Sequence, residues 1–209
     1  MLTVWSLCWG EKYDDYCVQR LQREVDKYLT IPHRFVCITD REIKGVYCVP
    51  PPDDLPGWWG KISLFKPGFA TDQNLWLDLD VVITDNLDEL VTRYADCALA
   101  TPWNWAQSGH GGCQSSVMLW YGSGPLPIYN AFNPAIAHWP ARNEPGILWG
   151  DQEFITQQRD AGFPVTQIEP GMVKSYKYHC QNGLPLNTKI VVFHGSPKPS
   201  EVKASWYQW

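Results

Sequence analysis

Apolar positions along the chain alternate between short unbroken runs and stretches of helical spacing. Leu2–Cys8 (LTVWSLC) is an apolar run rich in strand formers, ended by Trp9-Gly10. From Tyr13 to Leu29 the apolar residues fall at Tyr16, Cys17, Leu21, Val25, Tyr28 and Leu29, the spacing of an amphipathic helix. Arg34–Thr39 (RFVCIT) reads as a second strand, closed by Asp40. Val46–Val49 reads as a third, stopped by Pro50-Pro51-Pro52. The order β-α-β-β is the opening of an α/β domain with a parallel sheet.

Farther along, a loop rich in Pro, Asp and Gly precedes Trp58–Phe65 (WWGKISLF), which predicts a short helix. Leu75–Thr84 (LWLDLDVVIT) is the most strand-like segment of the chain. Asn86 with Glu89 three residues on predicts a capping box before Leu90 and Val91. Cys97–Ala100 and Ser116–Trp120 read as short strands around a long loop, 101–114, with two Trp and three Gly. Asp151–Ala161 reads as a helix capped by Asp151 and stopped at Gly162. Lys189–Phe193 (KIVVF) is the last strand, and the tail 195–209 is expected to pack across the body.

Composition narrows the classes. At 209 residues the chain has room for one domain, or one plus a small lobe. Its net charge of −5 argues against a broad basic footprint on nucleic acid. Twelve tryptophans imply an indole-rich core, an indole-lined binding surface, or both. The seven cysteines are scattered and form no CxxC pair, the N-terminus lacks a basic leader region, and no apolar run reaches about 18 residues. A reduced, cytoplasmic chain with free thiols and no membrane span is the expectation.

Four places could carry chemistry. In Asp78-Leu79-Asp80, a continuous strand would aim both carboxylates to one side. Buried carboxylates need a cation, and a hard divalent ion (Mg²⁺ or Mn²⁺) shared with phosphate oxygens would supply it. The competing possibility is a strand that ends at Asp78, leaving both acids in solvent. His194 directly follows KIVVF and could complete an N/O coordination sphere, while Lys198 in the Pro-rich segment after it could meet a diphosphate. Asp151-Gln152 offers either a helix cap or polar groups facing a reacting sugar. Gln114-Ser115-Ser116 opens a strand with polar residues that could equally satisfy backbone groups.

In combination, DLD after an apolar strand, SSVMLW, GDQ and a late FHGSPKP resemble the GT-A nucleotide-sugar glycosyltransferases, especially the glycogenin-like and lipopolysaccharide-galactosyltransferase-like group (family 8). SLCWGEKY…HRFVCITD and WWGKISLF extend the resemblance over nearly the whole chain. It implies a single GT-A (Rossmann-like) α/β domain over 1–209, with a mixed, mostly parallel sheet flanked by helices. Residues 1–100 would form the nucleotide-binding half, and 101–209 the acceptor side and tail. It implies metal ligation by Asp78, Asp80 and His194, with Asp78 also near the ribose and Lys198 on the diphosphate. Cys8, Trp9, Thr39 and Asp40 would border the nucleoside, Lys61 would stand near the donor, and Asp151 and Gln152 would line the sugar and acceptor pocket. His194 abuts Gly195, Ser200 follows Pro199 and Gln114 opens the SSVM segment, where the family commonly has a two-residue spacer, Trp and Asn.

The activity implied is transfer of a sugar from a nucleoside-diphosphate sugar, a UDP-sugar by preference, to an acceptor hydroxyl, with Mn²⁺ or Mg²⁺ and with retention of configuration. Asp151 as the base of an inverting reaction is the alternative. The acceptor would be a glycan or another hydroxyl-bearing molecule. Trp103, Trp105 and His110 in loop 101–114 are candidate platform residues for it. Lys174–His179 interleaves bases with aromatics, which keeps a hydroxymethylated DNA base open as acceptor. A non-catalytic carbohydrate-binding module would use the tryptophans but not Asp78, Asp80 and His194. A nucleotidyltransferase is disfavoured, because neither GxGxxG nor GxxxxGK[ST] occurs.

Overall fold

The computed structural model describes residues 1–105, 112–136 and 148–209. The expected opening is present as β1 (Leu2–Cys8), α1 (Asp15–Tyr28), β2 (His33–Thr39) and β3 (Tyr47–Val49). Asp14 caps α1, its carboxylate accepting from the backbone N–H of Cys17 at 3.0 Å. The expected short helix is a 3-10 segment, Gly57–Phe65. Then come β4 (Gln73–Leu77), β5 (Val81–Ile83), α2 (Asp88–Arg93), β6 (Ala100–Thr101), β7 (Val117–Tyr121) and α3 (Leu126–Ala131). They are followed by α4 (Asp151–Asp160), β8 (Thr166–Gln167), β9 (Val173–Ser175) and β10 (Ile190–Val192).

Seven strands make one sheet in the order β3-β2-β1-β4-β7-β6-β8. Only β7 runs antiparallel to its neighbours. Apolar residues alternate across the pleat of β1. Leu2, Val4 and Cys8 join a core with Val18, Leu21 and Val25 of α1, whereas Trp5 joins a second core with Trp59, Trp76, Trp120 and Phe154. The sheet is thus covered by α1 and α2 on one face and by the 3-10 segment, α3 and α4 on the other. Three strands, β5-β10-β9, form a separate small sheet. Its outer side, through Val82, Val191 and Phe193, packs on Tyr207 and Trp206 of the tail, as expected for 195–209.

Several expectations are corrected. Leu75–Thr84 is not one strand. β4 ends at Leu77 after pairing with β1 and β7, the chain turns over 78–80, and β5 leaves to pair with β10. No capping box forms at Asn86. The helix starts at Asp88, whose N–H donates to Asn86 at 2.9 Å, while Glu89 pairs with Arg93 at 2.7 Å. The N-cap of α4 is Gly150, so Asp151 is the first helical residue and its side chain does not cap. The strand placed at Cys97–Ala100 shifts to Ala100–Thr101, because its partner is Leu119 of β7. Lys174–His179, which interleaves bases with aromatics, is built into regular structure. It finishes β9 and enters a single π turn, Tyr176–Cys180, in which Tyr176 stacks on Phe193 at 4.6 Å. All seven cysteines are free. No helix among the described residues is long and apolar enough to cross a membrane.

Candidate active site

A cleft of about 560 Å³ opens where the two sheets part. Its floor is the Asp78-Leu79-Asp80 turn. Val81 N–H closes the turn on the Asp78 carbonyl at 3.2 Å, and Leu79 is buried in the α1-side core. With Leu79 drawn inward, both aspartates line the cleft. From below, Arg20 of α1 donates to the carbonyls of Leu79 and Val81 at 2.8 and 2.9 Å. Glu24 holds Arg20 at 2.7 Å and accepts from Ile83 N–H at 3.0 Å. The turn is therefore fixed by a buried, charge-assisted brace. Trp209 covers it, its ring 4.8 Å from the Arg20 guanidinium carbon.

Neither aspartate is left in solvent: the Asp78 and Asp80 side chains are 21% and 11% exposed. Asp78 accepts from Trp76 Nε1 at 2.9 Å and from Lys61 Nζ at 2.8 and 3.0 Å. Asp80 accepts from Lys198 Nζ at 2.6 Å and the Tyr13 hydroxyl at 2.9 Å. Burial, reinforced by Asp80, pushes the Tyr13 phenol far above its usual range, so it stays a donor. Asp151, at the start of α4, lies 3.6 Å from Lys61 with its side chain 5% exposed. Its Oδ2 is buried without a hydrogen-bond partner. Burial raises the Asp151 carboxyl above the ordinary range against the pull of Lys61. Burial opposes the Lys61 ammonium, but Asp151 and Asp78 outweigh it and hold the group protonated. Ser115, from the expected polar mouth of β7, also accepts from Lys61 at 3.3 Å.

His194 borders the cleft two residues after β10. Its Nε2 lies 2.7 Å from Ser175 Oγ. Its ring stacks with Trp105 (6.2 Å) and with Tyr178 (5.9 Å). Burial, then Lys177, lowers its basicity, with Asp80 acting the other way.

The structure thus brings Trp9, Lys61, Asp78, Asp80, Asp151, Gln152, His194 and Lys198 to one cleft. Cys8, Thr39 and Asp40 are not among its lining. The Cys8 thiol is buried against the Tyr13 carbonyl and Arg41, the Thr39 hydroxyl accepts from Arg41 N–H at 3.3 Å, and Asp40 accepts from Gly10 N–H at 3.3 Å. They brace the loop after β1. The expected platform residues also differ. Trp103 sits under Arg159, Trp105 stacks on His194, and His110 lies outside the described residues. The indoles that line the cleft are Trp9, Trp58, Trp76 and Trp149. Trp58 Nε1 donates to the Trp149 carbonyl at 2.9 Å, and a Cβ on Gly150 would fall 2.2 Å from that nitrogen. Only glycine lets Trp58 close over the start of α4.

Two carboxylates and an imidazole on one cleft are a suitable donor set for a hard divalent cation. The Lys198 ammonium already stands as a cation on Asp80. As they stand, no three His, Cys, Asp or Glu side chains among the described residues converge on a single point. Metal binding would draw Asp80 from Lys198 and Asp78 from Lys61.

A crystal structure of an active-site mutant of LgtC, glutamine replaced by glutamate, matches with a TM-score of 0.62 at 13% identity, over 100% of this chain and 92% of that one. The chain has the GT-A fold. A crystal structure of the galactosyltransferase LgtC in complex with donor and acceptor sugar analogs matches with a TM-score of 0.60 at 17% identity, over 95% of this chain and 89% of that one. No protein-family model and no curated protein matches the sequence. In this GT-A fold the cleft lies at the carboxyl ends of β1 and β4, the side on which open α/β sheets bind ligands.

Sequence reasoning missed Tyr13, Trp58 and Trp149 in the lining, and Arg20 and Glu24 beneath it. Trp149 had a signal, since it directly precedes Gly150-Asp151. Arg20 and Glu24 had a misleading one: an i,i+4 Arg/Glu pair reads as a surface pair, yet Arg20 is buried.

Proposed function

We propose that this chain is a glycosyltransferase that moves a sugar from a nucleoside-diphosphate sugar, UDP-linked by preference, to an acceptor hydroxyl with retention of configuration. The observation that carries the proposal is the joining of Asp78, Asp80, His194, Lys198, Asp151 and Gln152 around one cleft of a GT-A fold. Asp80, Asp78 and His194 would hold Mn²⁺ or Mg²⁺, which when bound supplies Lewis-acid stabilisation of the departing diphosphate.

The remaining roles belong to the chain itself. Lys198, released from Asp80, presents its ammonium to the diphosphate and stabilises the charge that builds as the sugar–phosphate bond breaks. Lys61, with Asp78 drawn to the cation, would remain the ammonium partner of Asp151 at 3.6 Å. Asp151 is nearly enclosed and already faces Lys61. Such a carboxylate is suited to stabilising an oxocarbenium-like sugar rather than to exchanging protons with solvent, which favours retention over inversion. Gln152 borders the same space and offers a neutral polar group to the sugar. Trp149, 46% exposed, and Trp58 supply indole faces beside Asp151, the kind of surface on which a pyranose ring packs, which favours a glycan acceptor. A carbohydrate-binding module would have no use for the buried Lys61–Asp78–Asp151 group.

A panel of nucleotide sugars, with glycans and hydroxymethylated DNA as acceptors, tests the proposal by Mn²⁺-dependent release of nucleoside diphosphate and the anomeric configuration of the product. Release with a UDP-sugar and a product of unchanged configuration is expected. Absence of nucleotide binding across the panel overturns it in favour of the module. Lys198→Met separates the two duties of that lysine. With the competing ammonium gone, Mn²⁺ should bind Asp80 more tightly in titrations without nucleotide, while UDP binding in the presence of Mn²⁺ weakens by about tenfold. Equal changes in both affinities would contradict the exchange of Lys198 between Asp80 and diphosphate.

A further inference from the structure

We infer that Arg20 is a positioning residue for the proposed cation site, and that Trp209 of the tail holds its guanidinium in place; the metal part of the inference rests on the function proposed above. The carbonyls of the turn are engaged by two kinds of donor. Main-chain N–H groups meet two of them: Val81 N–H the Asp78 carbonyl at 3.2 Å, and Phe193 N–H the Asp80 carbonyl at 3.1 Å. Arg20 Nη2 meets the two on either side of Asp80, those of Leu79 and Val81, at 2.8 and 2.9 Å. β5 is an edge strand, paired with β10 alone in its sheet. On its other edge Arg20 takes the Val81 carbonyl and Glu24 takes the Ile83 N–H, so this i,i+4 pair of α1 stands where a neighbouring strand would. The direction in which the Asp80 carboxylate enters the cleft is thus set by one buried side chain together with the backbone of Phe193, the residue before His194.

The guanidinium is itself held from two sides. Glu24 accepts from Nη1 at 2.7 Å, and the Trp209 ring lies over the guanidinium carbon at 4.8 Å. Nε is buried with no hydrogen-bond partner among the described residues, so it adds nothing to the hold. A planar fork reaches Glu24 and both carbonyls at once and offers a flat face to the indole, which an ammonium cannot reproduce. Trp209 also meets Tyr16 at 5.8 Å and Tyr207 at 6.4 Å, which fixes the tail over α1. The tail therefore bears on Asp80 from the side opposite the cleft, through Arg20.

The test begins with the metal-free protein. Arg20→Lys keeps the charge beside Glu24 and loses the fork. Amide hydrogen exchange at Val81 and Phe193 should quicken in this variant, while amides of β1 and β2 keep their protection; a merely structural loss would lower protection throughout. Direct titration with Mn²⁺, read from the electron paramagnetic resonance of the free ion without nucleotide, should show affinity about 10–100-fold weaker. Trp209→Leu, which keeps apolar bulk and removes the indole face, should weaken Mn²⁺ about 2–5-fold, and Trp209→Phe should restore most of it. Uniform loss of protection in Arg20→Lys, or Mn²⁺ affinity unchanged in it, overturns the inference. Unchanged affinity in Trp209→Leu alone overturns the part played by the tail. Should Arg20→Lys fail to fold by thermal melting, Trp209→Leu, at a site 38% exposed, decides. If the wild type binds no Mn²⁺, the metal assignment fails, while selective loosening at Val81 and Phe193 still upholds Arg20 as the residue that orders the turn.

Discussion

Lys61→Met is expected to destabilise the protein by about 3–5 kcal/mol, because it removes one partner of a buried ion cluster and leaves the others. The Lys61 side chain is 8% exposed, and among the described residues it alone faces both Asp78 at 2.8 Å and Asp151 at 3.6 Å. Methionine fills much the same volume, so the loss is electrostatic rather than a cavity. Asp151 suffers most, since its Oδ2 has no hydrogen bond to fall back on. Asp78 keeps the Trp76 indole N–H. Asp151→Asn alone should cost far less, as Lys61 retains Asp78. Adding Asp151→Asn to Lys61→Met should recover part of the loss, a coupling that a double-mutant cycle resolves. Urea unfolding gives the free energies, and a fall in melting temperature of about 2–4 °C per kcal/mol accompanies them for a chain of this length. A loss below about 1 kcal/mol would show that water reaches the cluster and that its enclosure is not what holds the pairs.

Asp80→Asn carries the largest expected loss of activity, roughly 10²–10³-fold in kcat, the range seen when one preorganised electrostatic group is removed from a reacting site. Fold stability should change little. Asparagine still accepts from Tyr13, and Lys198 is 29% exposed and can turn to water. The nucleotide readout is the sharper one. UDP binding in wild type should require Mn²⁺, and in Asp80→Asn the metal should no longer enhance it. Metal-dependent UDP binding that survives the substitution would remove Asp80 from the metal site and with it the proposed mechanism. Circular dichroism and melting of the variant keep a folding defect from being mistaken for a chemical one.

The parts of the fold legible in the sequence are those built from local pattern. β1, α1, β2 and β7 stand within two residues of their expected ends, since each is a run of one period bounded by Gly, Asp or a cap. The Leu75–Thr84 segment shows where pattern fails. Both halves are apolar, and nothing in the residues themselves says that Val81 pairs with Val192 while Leu77 pairs with Val117. Strand alternation would place both aspartates on one side, but a turn does that work, with Leu79 as its inward anchor. The residues expected at the metal and donor reached the cleft. Those expected at the nucleoside through the ends of β1 and β2 did not all do so, because Arg41 draws Cys8, Thr39 and Asp40 into the support of the preceding loop. The acceptor side was least legible, since Trp58 and Trp149 meet only in three dimensions.

The parting of the chain into two sheets at Asp78–Asp80 also sets an order of events during folding. β1 and β2 lie close in sequence and can pair early, whereas the Asp80–Lys198 contact spans 118 residues and closes slowly. A nascent chain that has emerged only through α4 already contains Asp78, Asp80, Lys61 and Asp151. It still lacks the strand that receives β5, and it lacks His194 and Lys198 altogether. The proposed cation site, which needs His194, would therefore form only after β10 has been made. Until β10 docks, Asp80 lacks Lys198, its partner on that side.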